Sequence, residues 1–551
     1  MLVVALALNL IVIFLARRGR VSHVPTTLWI LSIVFFFLSA IERPRFRLPR
    51  WRPNRQVLLV IAVVLLPAIV RLAHAAGGSV HGDELLTAYF SKTHDFLHTS
   101  FFSPMPNRGE WVSQFPTPFF LLQRWSLDIV GASVAAVRLS TLPYVVIVSA
   151  LLYRIGRQLA DRTTALLAVV LYAFFFPSVY LDASGFMFIS STAAFLGFFY
   201  FALRNLHETG CRAAAAAGVL MGACYLTYSS SYLALPVFLV FFLFDLVRRR
   251  RFAVVRNLVT SLLGFWIVLS PFLSDPQGGQ SYLFQRGSQV ALLTGDWSSH
   301  RGAIAGGENT LAVVWANLTL AVRAMYQDGI GGHGGYDFGH LALFDPLAIA
   351  LLMAGTIAAL FFVRRRPEIL LVLIVILASF FAGIVLTIPP PAYHRFSLAF
   401  PFLLLVMALP FSLLARTLRL PAAVRFAVVA GSLLVFASVN EDRLARARLV
   451  DRPSGDERLA RFLDDRYPDR ALSVAAFPTY AFEKMYFFLK RPGLERQIHS
   501  AYHSDLLETF DRREKYVYVI TFPEAFDEQF QEKDPAGKVF EFSPDYSVFA
   551  N

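Results

Sequence analysis

The sequence predicts a polytopic α-helical membrane protein with about 11–13 transmembrane helices and a small C-terminal extracytoplasmic α/β domain. Three observations predict this fold class. The chain is 56% hydrophobic and only 16% charged, whereas soluble domains carry about 25% charged residues. About a dozen apolar runs approach the roughly 20 residues that a helix needs to cross a bilayer. Beyond residue 440 the composition becomes charged, as in a soluble domain.

Apolar runs divide the chain into three parts. Residues 1–55 contain two short runs, which either span or form a shallow hairpin, and a basic loop; residues 56–440 form the main transmembrane domain; residues 441–551 form the terminal domain. Helices are predicted from the runs at 1–15, 27–41, 57–76, 134–153, 163–180, 185–203, 213–229, 231–247, 257–274, 343–363, 368–388, 396–415 and 422–439.

Positive charge sets the predicted orientation. The net charge is +13, and most arginines cluster between apolar runs, which is the positive-inside pattern of cytoplasmic loops. By alternation, loops 77–133 and 275–342 lie outside the cytoplasm. No basic face with interleaved aromatic residues is evident, so a nucleic-acid partner is not expected. The arginine clusters are 43–55, 154–162, 248–251 and 364–366.

The terminal domain combines one amphipathic helix with strand-like runs. Apolar residues recur at helical spacing at Leu459, Phe462 and Leu463. The runs at 471–477 and 516–522 are rich in residues that favour strands. We therefore expect an α/β domain on the same side of the membrane as loop 77–133.

A short acidic motif, Gly82-Asp83-Glu84, follows the third apolar run. One interpretation is a helix N-terminus, where two carboxylates complement the positive end of the helix dipole. The other is a catalytic acid or base. The two interpretations are compatible, and because adjacent carboxylates on a helix point in different directions, Asp83 and Glu84 are expected to have different roles.

Histidines and glycines in the outer loops suggest weaker sites. His94 and His98 are four residues apart and could face one metal ion, but no third ligand is evident. A solvated pair is therefore the more frequent outcome. The glycine-rich segment 331–340 either closes over a substrate or is simply disordered. The sequence requires no cofactor, and it leaves room for a divalent cation.

Two consecutive segments of the first outer loop carry a family resemblance. A proline-aromatic segment, Pro116-Thr-Pro-Phe-Phe-Leu-Leu-Gln-Arg-Trp125, precedes a helix start at 131–143 with the pattern Gly-x6-Arg138. Together with the Asp83-Glu84 pair, they resemble the GT-C superfamily of membrane glycosyltransferases. The most similar branch contains bacterial protein O-mannosyltransferases and lipid A aminoarabinose transferases. The resemblance covers roughly residues 55–440, which makes 56–440 the expected catalytic domain.

Three later segments extend the resemblance. Asp182 lies in a short outer turn where many members carry a second acidic residue, Tyr228 lies in a tyrosine-rich outer turn, and His394-Arg395 precede a late helix. Two cationic positions of the family are missing. Phe115 and Thr117 flank the proline where relatives have Lys or His, and the tyrosine-rich turn ends in Tyr232 instead of Arg. Arg395, His394 or Arg124 are candidates to replace them.

The resemblance implies transfer of a sugar from a polyprenyl-phosphate donor to an acceptor hydroxyl on a glycan, lipid or protein. Asp83 is the expected general base, and Glu84 would orient it or bind a sugar hydroxyl. Arg395 would stabilise the departing phosphate, unless it only anchors its helix at the bilayer surface. Asp182 is either a helix cap or an active-site acid. The expected location is the bacterial inner membrane, with the site and the terminal domain outside the cytoplasm.

Two other classes of protein remain open at the level of sequence. A transporter or flippase for a lipid-linked glycan usually carries buried ionisable groups at mid-membrane and internal repeats. Here the candidate residues lie in outer loops and no repeat is visible. A non-catalytic scaffold that displays the terminal domain is the third interpretation. Neither Cys211 nor Cys224 belongs to a disulfide framework or a zinc spacing.

Overall fold

The architecture was analysed in a computed structural model of the 551-residue chain. The structure describes residues 1–19, 23–40, 54–75, 82–96, 99–103, 118–208, 210–249, 252–275, 290–292, 310–330, 336, 338–387, 391–417, 421–450, 455–468, 472–475, 487–489, 498–501, 503–508, 517–521, 523–543 and 546–550.

Helices account for nearly all of the described chain up to residue 450. They are α1 (Leu2–Arg17), α2 (His23–Ser39), α3 (Arg55–Ala75), α4 (Gly82–Thr93), α5 (Pro118–Val130), α6 (Val134–Leu139), α7 (Leu142–Leu159), α8 (Arg162–Phe174), α9 (Phe176–Asp182), α10 (Phe188–Asn205), α11 (Cys211–Cys224), α12 (Ala234–Arg249), α13 (Phe252–Ser274), α14 (Thr310–Ala324), α15 (Pro346–Val363), α16 (Ile369–Phe380), α17 (Tyr393–Phe396), α18 (Phe400–Thr417) and α19 (Ala422–Val450).

Among the described residues, seven helices are long and apolar enough to cross a membrane, or eight if α8 and α9 form one bent span. This count is lower than the predicted 11–13, and five shorter apolar helices of 10–17 residues account for the difference. The shorter helices include α1 and α2, which pack on α13. Asn9 Nδ2 donates to the Ile267 carbonyl at 3.0 Å, and Trp29 Nε1 donates to the Val268 carbonyl at 3.2 Å.

Two polar contacts identify the end of the bundle that carries the basic loops. Arg248 at the end of α12 donates to Glu368 before α16 at 2.5 Å. Ser412 near the end of α18 donates to Asp161, the N-cap of α8. The helix ends that these contacts bring together border the basic loops, which the positive-inside pattern assigns to the same side of the membrane. The Asp83 motif lies at the start of α4, which follows the opposite end of α3.

Helices α8 and α9 meet at an angle of 64°, and Pro177 explains the break. Proline has no N–H, so Ala173, four residues earlier, loses its helical donor. The N–H of Phe176 also leaves the helical ladder, since it donates to Asn440 Oδ1 at 3.0 Å. Irregular backbone at membrane depth requires other donors, and the bend therefore needs partners from neighbouring helices.

Helix α14 lies in the stretch 275–342 that the sequence analysis treated as an outer loop. Its buried Asn317 donates through Nδ2 to the carbonyl of Val385 at 2.5 Å, where α16 continues as a π-helical turn, Phe381–Val385. Such turns leave carbonyls without regular donors. Helix α14 therefore packs against the bundle and satisfies the backbone of this turn.

The terminal domain contains a five-stranded mixed sheet, which confirms the predicted α/β class. The strand order is β2-β1-β3-β5-β4, with β1 parallel to β2 and β3, and β5 antiparallel to β3 and β4. Its elements are α20 (Gly455–Arg466), β1 (Leu472–Ala475), β2 (Ile498–Ala501), α21 (His503–Glu508), β3 (Val517–Thr521), α22 (Pro523–Lys533), β4 (Lys538–Ser543) and β5 (Tyr546–Ala550).

The contact between α11 and α13 depends on Gly218. A Cβ atom at this position would lie 2.1 Å from the Ser261 carbonyl oxygen, which is backbone and cannot turn away. We expect Gly218→Ala to destabilise the protein by about 1–3 kcal/mol, since overpacking forces helices apart. Gly431→Ala is the matched control, because a Cβ there meets nothing within 4 Å. The unfolding midpoint of each variant is measured with a thiol-reactive dye that labels the buried Cys224 on heating. Equal unfolding midpoints for Gly218→Ala and Gly431→Ala would contradict the expectation.

Candidate functional site

Asp83 lies in the first turn of α4, which begins at Gly82 as predicted. Its carboxylate accepts a hydrogen bond from the hydroxyl of Tyr336. Tyr336 is a buried residue of the glycine-rich segment 331–340, of which the structure describes Tyr336 and 338–340. The sequence analysis considered this segment as a cover for substrate but did not single out Tyr336, because no local pattern connects it to Asp83.

A cluster of rings surrounds Tyr336. The centroid of its ring lies 4.1 Å from that of His394 and 5.7 Å from that of Phe188. Tyr228 completes the cluster, at 4.7 Å from Phe188 and 5.8 Å from His394. The structure therefore brings three residues predicted separately from sequence into one site: Asp83, Tyr228 and His394. We call Asp83, Phe188, Tyr228, Tyr336 and His394 the Asp83 cluster.

Arg395 follows His394 in the short helix α17 and is only 5% exposed. An arginine that anchors a helix at the bilayer surface extends its guanidinium into water, which does not fit this burial. The π-helical turn approaches its backbone closely, because a Cβ on Gly383 would lie 2.6 Å from the Arg395 carbonyl oxygen. Arg395 is thus a cation held inside the protein, one residue after His394 of the Asp83 cluster.

Glu84 faces Arg138 instead of the Asp83 cluster. Its Oε1 accepts from Arg138 Nε at 2.8 Å and its Oε2 from Arg138 Nη2 at 3.3 Å. The side chains are 1% and 3% exposed, so the pair is desolvated. This geometry does not fit the predicted contact of Glu84 with a sugar hydroxyl. It fits the other predicted role, orientation of Asp83, because the ion pair fixes the first turn of α4.

Asp182 is held by a second buried ion pair. Its Oδ2 accepts from Arg71 Nη2 at 3.1 Å and from the Tyr172 hydroxyl at 2.7 Å. Arg71 also donates to the carbonyls of Tyr172 and Ala173, at 3.0 and 2.9 Å. These are the two carbonyls that lose helical donors at the bend between α8 and α9. Asp182 therefore belongs to the support of this bend.

Neither arginine was selected as a site residue from the sequence, although a signal existed for each. Arg71 is a charged residue inside the predicted apolar run 57–76, and an ionisable group at such a position is a functional hypothesis by default. Arg138 is the arginine of the Gly-x6-Arg pattern. Its partner Glu84 is 54 positions away, and the sequence does not pair them.

Residues 182–188 connect the ion pairs to the Asp83 cluster. Gly185 donates its N–H to Glu84 Oε1 at 2.8 Å and accepts from Gln123 Nε2 at 3.2 Å. A Cβ at Gly185 would lie 2.1 Å from Val137, so only glycine fits between α4 and α6. Three residues later, Phe188 packs against the rings of the cluster. Glu84 thus supports both the start of α4 and this turn.

Arg124 lies outside the Asp83 cluster. Its Nε pairs with Asp128 at 2.8 Å on the surface of α5, and its Nη1 donates to the Lys92 carbonyl at the end of α4. Lys92 in turn donates through Nζ to the carbonyls of Phe487 and Leu489, at 3.0 and 3.3 Å. These contacts join α4 and α5 to the terminal domain. The geometry does not bring Arg124 to the other candidate donor residues.

Of the predicted weak metal pair, only His94 lies in the part of the chain that the structure describes. His94 Nε2 lies 2.8 Å from the hydroxyl of Thr99, and His98 lies outside the described residues. Burial lowers the pKa of His94, and the neighbouring Asp95 carboxylate opposes this effect. Within the described residues, no group of three or more His, Cys, Asp or Glu side chains is arranged to hold a metal ion.

Comparisons with known proteins define the class of protein. Residues 115–274 match the model of the dolichyl-phosphate-mannose-protein mannosyltransferase family, which is less than half of the chain. Several solved structures match over most of the chain. One is ArnT from Cupriavidus metallidurans bound to undecaprenyl phosphate, with 14% identity, a TM-score of 0.58, and coverage of 90% of this chain and 98% of that chain.

The second structure is the oligosaccharyltransferase of Archaeoglobus fulgidus in its apo form. It has 13% identity and a TM-score of 0.53, over 86% of this chain and 70% of that chain. No match is found among curated proteins. At such identities a structural match shows the fold. The chain is therefore a multi-pass membrane protein with the GT-C glycosyltransferase fold, which confirms the fold predicted from sequence.

Proposed function

We propose that this protein is a glycosyltransferase that moves a sugar from a polyprenyl-phosphate donor to an acceptor hydroxyl, with Asp83 as the general base. The observation that carries the proposal is the Asp83 cluster. The Asp83 carboxylate at the start of α4 accepts from Tyr336, whose ring packs on His394. The next residue in the chain after His394 is the buried cation Arg395. ArnT, whose fold is similar, was solved with undecaprenyl phosphate bound, which supports a lipid phosphate as part of the donor.

The reaction needs one base and one stabilised leaving group. The acceptor oxygen forms a bond to the anomeric carbon of the sugar, and the bond from this carbon to the phosphate oxygen breaks. The proton of the acceptor hydroxyl passes to the Asp83 carboxylate. The polyprenyl phosphate departs with the bonding electron pair, and its negative charge is stabilised by a cation within reach. Arg395 and His394 are the proposed contacts to this phosphate.

Tyr336 is hydrogen-bonded to the Asp83 carboxylate that would accept the proton of the acceptor. Its hydroxyl donates to Asp83 Oδ2, so an acceptor hydroxyl has to replace Tyr336 or share the carboxylate with it. Glu84 and Arg138 act as positioning residues, since they contact the backbone turns around the site. The nature of the sugar and of the acceptor, whether glycan, lipid or protein, depends on the shape of the bound complex.

The proposed orientation places the site and the terminal domain outside the cytoplasm, in a bacterial inner membrane. Positive loops at the opposite end of the bundle support this orientation. The contact of Lys92 with the carbonyls of Phe487 and Leu489 supports placing the terminal domain on the same side as α4. Polyprenyl-phosphate sugars are used on that face, where nucleotide sugars are absent.

Asp83→Asn is expected to lower the rate of sugar transfer by about 100-fold or more, because asparagine cannot accept the proton of the acceptor. The protein is reconstituted in liposomes with a panel of radiolabelled polyprenyl-phosphate sugars and a crude envelope fraction as acceptor. Transfer is measured as label that moves from the lipid donor to the acceptor fraction.

Asp442→Asn is the matched control, since Asp442 is an exposed carboxylate that pairs with Arg446 on α19. It should leave transfer unchanged. Undiminished transfer by Asp83→Asn would remove Asp83 as the base. Absence of transfer with every donor, together with movement of the lipid-linked sugar across the vesicle membrane, would favour a flippase and contradict the proposal.

A further inference from the structure

A groove of about 780 Å³ lies between α3 and α7, at the end of the bundle that carries the basic loops. Its volume is within the range of roughly 300–1,000 Å³ that is typical of small-molecule sites. The groove shares no residue with the Asp83 cluster. Its lining combines apolar residues of α3 from Val57 to Leu65 with three arginines, Arg154, Arg157 and Arg162.

Polarity changes along the length of this groove. The polar lining residues of α3 are Asn54 and Gln56, at its N-terminal end, whereas the lining residues from Val57 to Leu65 are all apolar. Eleven helical steps separate Asn54 from Leu65, which corresponds to about 16 Å along the axis. This is close to half of the bilayer core, which is roughly 30 Å thick. The groove therefore matches one leaflet, with its polar end at the surface.

Three arginines form the polar end. Arg162 donates to the Gln56 side chain at 2.8 Å and to the Gln56 carbonyl at 3.0 Å, which ties α8 to α3 across the groove. Arg154 and Arg157 are exposed on α7, and among the described residues neither has an ion-pair partner. An anion at this end would therefore meet three guanidinium groups, which favour phosphate oxygens.

The wall formed by α3 faces lipid instead of protein. Only 11% of the most apolar stretch of α3 is buried within the protein, and the side chains of Ile61 and Leu65 are more than one-third exposed. An apolar groove of this kind, open to the bilayer, accommodates acyl chains. The arginines supply the complementary charge for an acidic headgroup, as in basic pockets between transmembrane helices that bind acidic lipids.

We propose that this groove is a binding site for one anionic glycerophospholipid of the leaflet that α3 enters at Arg55. The phosphodiester contacts Arg154, Arg157 and Arg162, and one acyl chain lies along the apolar residues of α3. The length of the groove favours this occupant over a polyprenyl phosphate, whose chain is longer than one leaflet. The lipid would fill the space between α3 and α7, and thus support the helix that carries Arg71.

Native mass spectrometry tests the proposal. The full chain is released from nanodiscs that contain equal amounts of dioleoylphosphatidylglycerol and dioleoylphosphatidylcholine. Wild-type protein is expected to retain one phosphatidylglycerol. Arg154→Gln combined with Arg157→Gln should weaken retention about 10-fold or more, since each arginine near a membrane surface attracts acidic lipid. Val64→Trp, which keeps the charges but fills the apolar wall, should also lose the lipid.

Two control variants separate the site from general effects of charge and bulk. Arg364→Gln combined with Arg365→Gln removes the same charge from another basic loop, and Ile69→Trp adds a ring to an exposed position of α3 outside the groove. Both should retain phosphatidylglycerol. Equal retention by all variants, or equal retention of phosphatidylcholine by wild-type protein, would overturn the proposal. Displacement by added undecaprenyl phosphate would assign the groove to a carrier lipid and also contradict it.

Discussion

Arg138→Met is expected to destabilise the protein by about 3–5 kcal/mol, because it leaves the Glu84 carboxylate buried without its counter-charge. The two side chains are 1% and 3% exposed, so water cannot replace the lost partner. Gly185 still donates its N–H to Glu84 Oε1, which satisfies only one of the two carboxylate oxygens. The expected measurement is a lower thermal unfolding midpoint in detergent.

Glu84→Gln in the Arg138→Met background should recover much of this loss. Glutamine removes the uncompensated charge and its amide oxygen still accepts from Gly185, so the polar backbone contact is kept. Arg446→Met is the matched control, since its pair with Asp442 is exposed on both sides; such surface pairs contribute about 0–1 kcal/mol. A double variant as unstable as Arg138→Met alone would contradict an electrostatic origin of the loss.

The same variants test the role of Glu84 in the site. If Glu84 positions the first turn of α4, the double variant should fold but transfer sugar more slowly than wild-type protein, because Asp83 is held less firmly. A role of Glu84 in binding the sugar would instead raise the KM for the donor in Glu84→Gln alone, with little change in kcat. Comparison of the change in kcat with the change in KM therefore distinguishes a positioning role of Glu84 from direct contact with the sugar.

Membrane class and the start of α4 could be predicted from sequence because both depend on local composition. Apolar runs of sufficient length indicate transmembrane helices, and a glycine followed by two carboxylates indicates the start of a helix. Helix α14 was missed because its local composition does not indicate a membrane span. Its 15 residues are shorter than the roughly 20 needed to cross a bilayer, and its role depends on Asn317 reaching the π-helical turn far along the chain.

Long-range pairings of the site could not be predicted in this way. Tyr336 and Asp83 are 253 positions apart, and no spacing rule connects a tyrosine in a glycine-rich segment with a carboxylate after α3. The charge pattern and the family resemblance together placed Asp83, His394 and Tyr228 on one predicted side of the membrane, and the fold brings these three residues into one cluster. It also suggested Arg124, whose pair with Asp128 on α5 is outside the Asp83 cluster.

Arg71→Met is expected to have an effect as large as that of Arg138→Met, about 3–5 kcal/mol, with a different cause. Arg71 is fully buried and donates to Asp182 as well as to the carbonyls of Tyr172 and Ala173. Removing it leaves one buried carboxylate and two backbone acceptors without these donors. The bend between α8 and α9 should then lose its support, and the thermal midpoint should fall.

Neutralising the carboxylate separates these contributions. Asp182→Asn in the Arg71→Met background removes the buried charge, but it cannot supply donors to the Tyr172 and Ala173 carbonyls, because Pro177 has no N–H to offer. Rescue should therefore be clearly smaller than that of Arg138→Met by Glu84→Gln. Arg71→Lys keeps the charge but lacks the planar fork that reaches several acceptors at once, and should recover only part of the stability.

Thermal midpoints of the two series, measured in the same detergent, decide between the two causes. Full rescue of Arg71→Met by Asp182→Asn would show that Arg71 acts only as a counter-charge, and the account of the bend would be wrong. Partial rescue would mean that Arg71 completes the hydrogen bonding of a broken helix at membrane depth. In that case the bend, and with it the turn from Asp182 to Phe188 beside the Asp83 cluster, depends on a residue in α3 that does not contact the cluster itself.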